Sequence, residues 1–203
     1  MQRLPEGLKE KLCAWYDAGH RDLPWRQDRE PYHVWLSEIM LQQTRVEAVK
    51  GYYARFLTEF PTIAALADCP PDRLTKLWEG LGYYSRVRNL QKAAKIIMEE
   101  SGGVFPKTYD AVRALPGIGD YTAGAICSIC FELPTPAVDG NVLRVLSRVT
   151  EDGASITAQK TKNACHTFSG MEMLFSRKQK THQETRFPAS PDGSLFTPEM
   201  CRL

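Results

Sequence analysis

Apolar residues recur at helical spacing along most of the chain, and the alternation typical of strands is nearly absent. The pattern predicts helices over residues 4–18, 46–59, 71–79, 84–100, 108–114, 121–131 and 142–149, with another helix start between 155 and 164. A further helix begins at Pro31, and its apolar side chains fall on one stripe: Tyr32, Trp35, Leu36, Ile39 and Met40. The chain is therefore predicted to be all-α.

Two loops near the middle of the chain interrupt this pattern. Leu-Pro-Gly-Ile-Gly occupies residues 115–119, where Gly117 and Gly119 can take the positive φ of a tight reversal. The helix after this turn begins with unpaired amide groups, which favour a bound phosphate. The second loop then places Asp139 just ahead of the next helix. Together the two loops predict a unit that holds a DNA backbone and presents a carboxylate beside it.

The residues of these two loops also carry a family resemblance. LPGIGDYTA, followed by VDGNV with its aspartate eighteen residues after Tyr121, resembles the helix-hairpin-helix and Gly/Pro-rich loop with aspartate of base-excision DNA glycosylases. Lyase members similar to endonuclease III carry a lysine nucleophile where this chain has Tyr121, and tyrosine there is similar to MutY-type adenine DNA glycosylases. The resemblance implies a two-lobed, all-α helix-hairpin-helix glycosylase fold with a central DNA-binding cleft.

The resemblance also implies four catalytic residues. By periodicity alone, Glu38 lies roughly 120° from the apolar stripe of its helix and would be a solvated surface group. The surrounding string SEIMLQQTRV, however, resembles the catalytic-glutamate helix of the MutY type. Glu38 is then the acid that protonates adenine, and Asp139 is the carboxylate that stabilises the electron-poor sugar. Tyr121 and Asn141 would orient Asp139.

Two further segments are implied to lie near the extruded base. The LPWR segment would place Trp25 and Arg26 there, although Trp25 could equally cover the core and Arg26 could be a solvated charge. At the end of the glutamate helix, Gln43 would enter the base stack and Thr44 would lie beside the opposing base. These two residues and Gln42 could also be no more than a polar helix end.

The turn GLGYY and the hairpin are implied to contact DNA directly. Leu81 and Tyr83 would wedge against the duplex or else pack internally. Arg86 and Arg88, which follow this turn, could meet phosphates or simply face solvent. The two hairpin glycines would clamp a phosphate, with a monovalent cation at the same turn.

Composition and charge limit the setting of the protein. A chain of 203 residues can bury one substantial core or two small lobes. Its formal charge of +2 is too small to indicate nucleic-acid binding by itself. The N-terminus lacks the apolar region of a secretory signal, and no run of apolar residues is long enough to span a membrane. We therefore expect a cytoplasmic, nucleoid-associated monomer.

The cysteines do not form a metal-binding pattern. Cys127 and Cys130 lie in an apolar helix, where core packing explains them. The family implies a [4Fe-4S] cluster on four cysteines, but only Cys165 and Cys201 lie beyond residue 150, so that site cannot be built. No metal site is predicted. Residues 167–203 lack both a helical stripe and the resemblance, and we interpret them as a poorly ordered tail left by truncation or a frameshift.

The expected organisation is a glycosylase catalytic core over residues 1–166. Residues 30–135 would form a six-helix-type lobe with the hairpin at 115–123, and residues 1–29 plus 136–166 a partial, less stable second lobe. The function expected is removal of adenine opposite 8-oxoguanine or guanine in double-stranded DNA. Two alternatives stay open, namely a glycosylase/AP lyase for oxidised pyrimidines and an inactive or DNA-binding-only fragment.

Overall fold

The computed structural model describes residues 6–151, 153 and 155. Within them are nine α-helices: α1 Leu8–Gly19, α2 Pro31–Leu41, α3 Val46–Glu59, α4 Ile63–Asp68, α5 Pro71–Leu77, α6 Ser85–Ser101, α7 Tyr109–Ala114, α8 Asp120–Phe131 and α9 Gly140–Val149. A 3-10 turn, Pro24–Arg26, precedes α2. This part of the chain contains no strand, so the prediction of an all-α chain is confirmed. Apart from residue 155, the expected helix start at 155–164 and the tail at 167–203 lie outside the described residues.

One helix, α4, was not predicted. It spans six residues, too few for a clear helical period, and no motif marks it, whereas the equally short α7 was predicted as the first helix of the hairpin. Its N-terminus is capped by Thr62, whose hydroxyl accepts a hydrogen bond from the Ala65 amide at 3.1 Å. The buried side chains of Ile63 and Leu66 then attach α4 to the core.

The helix that carries Glu38 is central rather than amphipathic. α2 packs against α3, α6 and α8. Besides the predicted apolar stripe, Val34 and Ser37 are buried, so α2 is covered on nearly all sides. The expectation of a single apolar stripe was therefore wrong for this helix. Because α2 is surrounded, Glu38 is partly buried rather than fully exposed on a solvated face.

Buried apolar side chains form two separate clusters in the described residues. The large one extends from Leu23 to Cys127 and includes the edge-to-face pair of Phe56 and Trp78, whose ring centroids are 5.9 Å apart. The small one contains Leu143 and Leu146 of α9, packed by Val138 and Val142. The helix that follows Asp139 thus has its own minor core, while the predicted bounds of the two lobes stay a prediction. No helix among these residues is long and apolar enough to cross a membrane.

Candidate active site

Glu38, Tyr121 and Asp139 come together from three elements that are distant along the chain. Glu38 lies on α2, Tyr121 in the first turn of α8, and Asp139 immediately before α9. The Tyr121 hydroxyl lies near enough to the Glu38 carboxyl group to act as a hydrogen-bond donor that lowers its pKa. The charge of Asp139 is close enough to act on both partners. The structure therefore brings Glu38 and Asp139 into one site together with Tyr121.

Burial dominates the chemistry of Glu38. It raises the pKa of this carboxyl group from an ordinary 4.5 to about 7, and repulsion by Asp139 acts in the same direction. The Tyr121 hydrogen bond and the charge of Arg26 lower the pKa of Glu38 in part. Burial, and then the charges of Glu38 and Asp139, raise the pKa of Tyr121, so its hydroxyl remains a donor. A carboxylic acid that titrates near neutral pH can donate a proton there.

Asp139 is held in a fixed orientation by the start of α9. Its Oδ1 accepts a hydrogen bond from the Val142 amide at 2.8 Å, which makes it the N-cap of the helix. Its Oδ2 accepts a hydrogen bond from Asn141 Nδ2 at 2.9 Å, and the Asn141 amide oxygen accepts in turn from Arg144. A negative charge is also favourable at a helix N-terminus. The neighbouring residues thus orient the carboxylate before any ligand is present.

The loop that carries Asp139 is anchored on α8 at Gly124. The Thr135 hydroxyl donates to the Gly124 carbonyl at 3.2 Å. A Cβ atom at Gly124 would lie 2.0 Å from the Pro136 carbonyl oxygen, so only glycine permits this close approach. Sequence reasoning missed Gly124, although a glycine inside a helical pattern is a known sign of close backbone packing. This glycine sets how near the Asp139 loop comes to Tyr121.

The two candidate residues of the LPWR segment lie in different surroundings, one near the site and one in the core. Arg26 is exposed, and its guanidinium carbon lies 5.7 Å from the centroid of the Tyr16 ring. It is near enough to Glu38 to influence its pKa. Trp25, in contrast, is buried and packs edge-on against Tyr53 at 5.5 Å between ring centroids. The structure thus brings Arg26 to the site, but it does not bring Trp25 there.

Of the residues predicted to contact DNA, some are exposed and others are not. Gln43 is exposed with φ 57°, while Gln42 and Thr44 on either side of it are partly buried. Tyr83 is 64% exposed, again with positive φ, at 47°. Leu81 is 6% exposed and belongs to the large core cluster. The structure therefore leaves Gln43 and Tyr83 accessible to a duplex and packs Leu81 inside.

Arg86 is a residue whose position the sequence did not reveal. Of the two alternatives for this residue, a phosphate contact or a solvent-facing charge, the second was wrong, because Arg86 is only 9% exposed, and the first stays a prediction. Its guanidinium is buried and donates to the turn after α2 and to the turn before α6. Arg88, two positions further along α6, is exposed.

The hairpin turn matches its expected conformation at one glycine only. Gly117 has φ 81°, and a Cβ atom there would meet the Asn89 Cβ at 2.9 Å. Gly119 has φ −93° with extended backbone, so the expectation of positive φ there was wrong. Gly119 is the N-cap of α8, and as a glycine it offers no side chain to the first amides of that helix. A monovalent cation at this turn stays a prediction, and the Ile118 carbonyl already accepts a hydrogen bond from Arg113 at 3.1 Å.

Comparison with known proteins identifies the family of this site. Residues 36–171, which include both carboxylates and the hairpin, match the HhH-GPD superfamily of base excision DNA repair proteins. This match covers more than half of the chain. The chain belongs to the HhH-GPD superfamily.

Individual relatives are similar to this chain in sequence. The chain is 48% identical over 160 residues to the adenine DNA glycosylase of Rattus norvegicus, covering 74% of this chain and 31% of that protein. It is 50% identical over 140 residues to the adenine DNA glycosylase of Buchnera aphidicola subsp. Baizongia pistaciae, covering 68% of this chain and 40% of that protein. The chain thus spans less than half the length of these relatives.

Two solved structures show the same fold. A thermostable thymine-DNA glycosylase superposes with a TM-score of 0.73 at 22% identity, covering 91% of this chain and 87% of its own. A trapped endonuclease III–DNA covalent intermediate gives a TM-score of 0.67 at 22% identity, with 90% and 86% covered. The expectation of an all-α helix-hairpin-helix glycosylase fold is therefore confirmed.

The iron–sulfur cluster found in some members of the HhH-GPD superfamily does not fit the residues described here. They contain no group of three or more His, Cys, Asp or Glu side chains that could hold a metal ion. Their cysteines are divided among α1, the residue after α4, and α8, which carries two of them: Cys13, Cys69, Cys127 and Cys130. A four-thiolate centre cannot be assembled from this set. No step below depends on a cluster.

Proposed function

We propose that this chain is the catalytic part of a monofunctional adenine DNA glycosylase, which hydrolyses the N-glycosidic bond of adenine paired with 8-oxoguanine or guanine in double-stranded DNA. One observation carries the proposal: a partly buried carboxylic acid that titrates near neutrality shares a site with a second, pre-oriented carboxylate. We infer that the protein acts as a monomer in the cytoplasm, at the nucleoid.

In the proposed reaction, one acid protonates the leaving base and the other stabilises the charge on the sugar. An adenine anion leaves poorly, so Glu38 donates its proton to N7 of the extruded base. The bond from the sugar C1′ to adenine then breaks, and its electron pair leaves with the base. Asp139 stabilises the positive charge that develops on the sugar, while Tyr121 and Asn141 hold the two carboxyl groups. Water adds to C1′, and the proton it releases restores Glu38.

The remaining exposed residues supply contacts to the duplex. In this proposal Gln43 fills the gap left by the extruded adenine, and Tyr83 unstacks the neighbouring step. Arg26 lies beside the base pocket. The uncapped N-terminus of α8 at Gly119 takes a backbone phosphate, which positions the duplex without reading its sequence.

The first test is single-turnover release of adenine from a duplex that contains adenine opposite 8-oxoguanine. We expect Glu38→Gln and Asp139→Asn each to lower the rate constant by about 100-fold or more, because the first removes the proton donor and the second removes the negative charge that stabilises the sugar. The exposed Glu47 gives a matched control, and Glu47→Gln should release adenine at the wild-type rate. Wild-type rates in either site variant would contradict the assigned roles.

Two further experiments, borohydride trapping and a gel shift, distinguish this function from the two alternatives. A lyase requires an amine nucleophile, and Tyr121 cannot form the Schiff base that borohydride traps. Trapping of the wild-type chain on DNA would therefore favour a glycosylase/AP lyase. A gel shift of the mismatched duplex without any base release would favour a DNA-binding-only protein.

A further inference from the structure

Arg86 connects two turns that are distant along the chain. Its side chain is 9% exposed and lies in the first turn of α6. Its Nη1 atom donates to three carbonyls at the end of α2, at 3.0, 3.1 and 2.6 Å: Ile39, Met40 and Gln42. Its Nη2 atom donates to the carbonyls of Leu81 and Gly82 at 2.9 and 3.2 Å. One guanidinium thus serves both turns at once.

The partners of Arg86 explain why a buried cation is tolerated there. The last carbonyls of a helix have no intrahelical donor, and a positive charge is favourable at this end. The guanidinium carbon also lies 5.4 Å from the centroid of the Trp78 ring and 5.6 Å from that of Tyr83. The Thr44 hydroxyl approaches both Nη atoms at 3.4 Å. Arg86 therefore supplies donors to the carbonyls of both turns, although the Gly82 carbonyl also accepts from Trp78 Nε1 at 3.0 Å.

The two turns that Arg86 holds share an unusual backbone conformation. Gln43 has φ 57° and Tyr83 has φ 47°. Residues other than glycine adopt the left-handed region only when their surroundings hold them there. Arg86 donates to the carbonyls that precede each of them, those of Gln42 and Gly82. These same two side chains are the exposed ones assigned above to the duplex.

We propose that Arg86 is a positioning residue that joins the turn at 42–44 to the turn at 81–83, so that Gln43 and Tyr83 enter the duplex as one unit. The proposal rests on the function proposed above and adds a residue to it that does not itself touch DNA. Arginine is required because its planar fork presents donors in two directions, whereas a lysine ammonium is a single point that cannot serve both turns.

The test compares the full 203-residue chain with its Arg86→Lys and Arg86→Met variants. The control is Arg88→Lys, since Arg88 is exposed on the same helix. The probe is a duplex with 2-aminopurine beside the target adenine, and the target sugar carries a 2′-fluoro group that resists hydrolysis. We expect binding to raise the 2-aminopurine fluorescence in the wild type and in the control. Both Arg86 variants should bind the duplex but lose most of this rise.

Single-turnover release on a cleavable duplex gives a second measurement. We expect Arg86→Lys to slow adenine release by about 10- to 100-fold, because misplaced insertion residues lower the fraction of correctly extruded base. The pH midpoint of the rate should stay at the wild-type value, since it belongs to Glu38. Circular dichroism should show the wild-type helical signal.

Each other result has a definite meaning. A wild-type fluorescence rise in Arg86→Lys, or loss of its helical signal, would overturn the positioning role. A wild-type chain that gives the fluorescence rise but releases no adenine would contradict the proposed function, while the Arg86 comparison would still be decided. A wild-type chain that leaves the duplex unperturbed would remove both proposals.

Discussion

Glu38 and Asp139 are chemically alike, and their different surroundings suit the two different roles proposed for them. Glu38 extends from a helix that is covered on nearly all sides, so the cost of burying its charge dominates. Asp139 accepts two hydrogen bonds at the start of α9, one from a backbone amide and one from Asn141. Two acids in unequal surroundings are the arrangement that acid-assisted bond cleavage requires.

The raised pKa of Glu38 predicts how stability depends on pH. In the unfolded chain this group ionises near 4.5, and in the folded protein near 7, so between these values the folded state holds a proton that the unfolded state has lost. The contribution of Glu38 to stability is thus complete below pH 4.5 and is lost as the pH rises through 7. Glu38→Gln stays neutral and should be more stable than wild type by up to about 3 kcal/mol at about pH 8.

Urea unfolding checks this expectation. The difference between Glu38→Gln and wild type should shrink towards zero below about pH 4, where Glu38 is largely protonated in both states. The Glu47→Gln variant should show no such trend, because Glu47 is exposed beside Lys50. A stability difference that does not change with pH would mean that Glu38 titrates normally.

At the scale of elements, the contact between α8 and the loop 132–139 determines where Asp139 lies. The helix provides Tyr121 at its start and Gly124 one turn later, and the loop crosses at that glycine. Residues three positions apart lie on one helix face, so the crossing point and the phenol share a side of α8. The distance between α8 and the loop that carries Asp139 therefore depends on the absence of a side chain at Gly124.

We predict that Gly124→Ala moves this loop and slows adenine release by about tenfold or more, because the added methyl group would overlap the Pro136 carbonyl. The variant should also lose about 1 to 3 kcal/mol of stability. Gly51, exposed in α3 with no atom within 4 Å of the added Cβ, is the matched control. Gly51→Ala should keep full activity and gain about 0.5 to 1 kcal/mol. Equal rates for the two variants would show that the Gly124 contact does not position Asp139.

At the scale of the whole molecule, the site draws on two cores of unequal size. Glu38 and Tyr121 lie on helices packed into the large cluster, whereas α9 has only the small cluster around Leu143 and Leu146 among the described residues. Regions with few buried apolar contacts open more readily than a large core. The Asp139 side of the site should therefore be the less rigid one.

Hydrogen exchange measures this difference directly. We expect the amides of α9 to exchange faster than those of residues 123–127 in α8, which are all buried. Duplex DNA with adenine on the 2′-fluoro sugar should slow exchange in α9 more than in α8, because the bound duplex orders the weaker side. Equal protection of both helices in the free protein would contradict the expected imbalance.

Local patterns in the sequence were enough for most helices and for the motifs. Helical spacing predicted all of the longer helices, because positions three and four apart share a face whatever the rest of the chain does. α4 was not predicted from the sequence, because its six residues hold less than two helical turns and no motif marks them. The hairpin turn and the two carboxylates could be identified from short motifs, since each motif consists of consecutive residues.

Only the tertiary structure decided which of these residues meet. Glu38 and Asp139 are 101 positions apart, and no periodicity relates them. The partners of Arg86 at the end of α2 lie 44 to 47 positions away, so its burial could not be distinguished from the exposure of Arg88. The role of Gly124 likewise depends on a loop that crosses over it. Burial and close approach are properties of the packed chain, because they depend on elements that come together only when the chain folds.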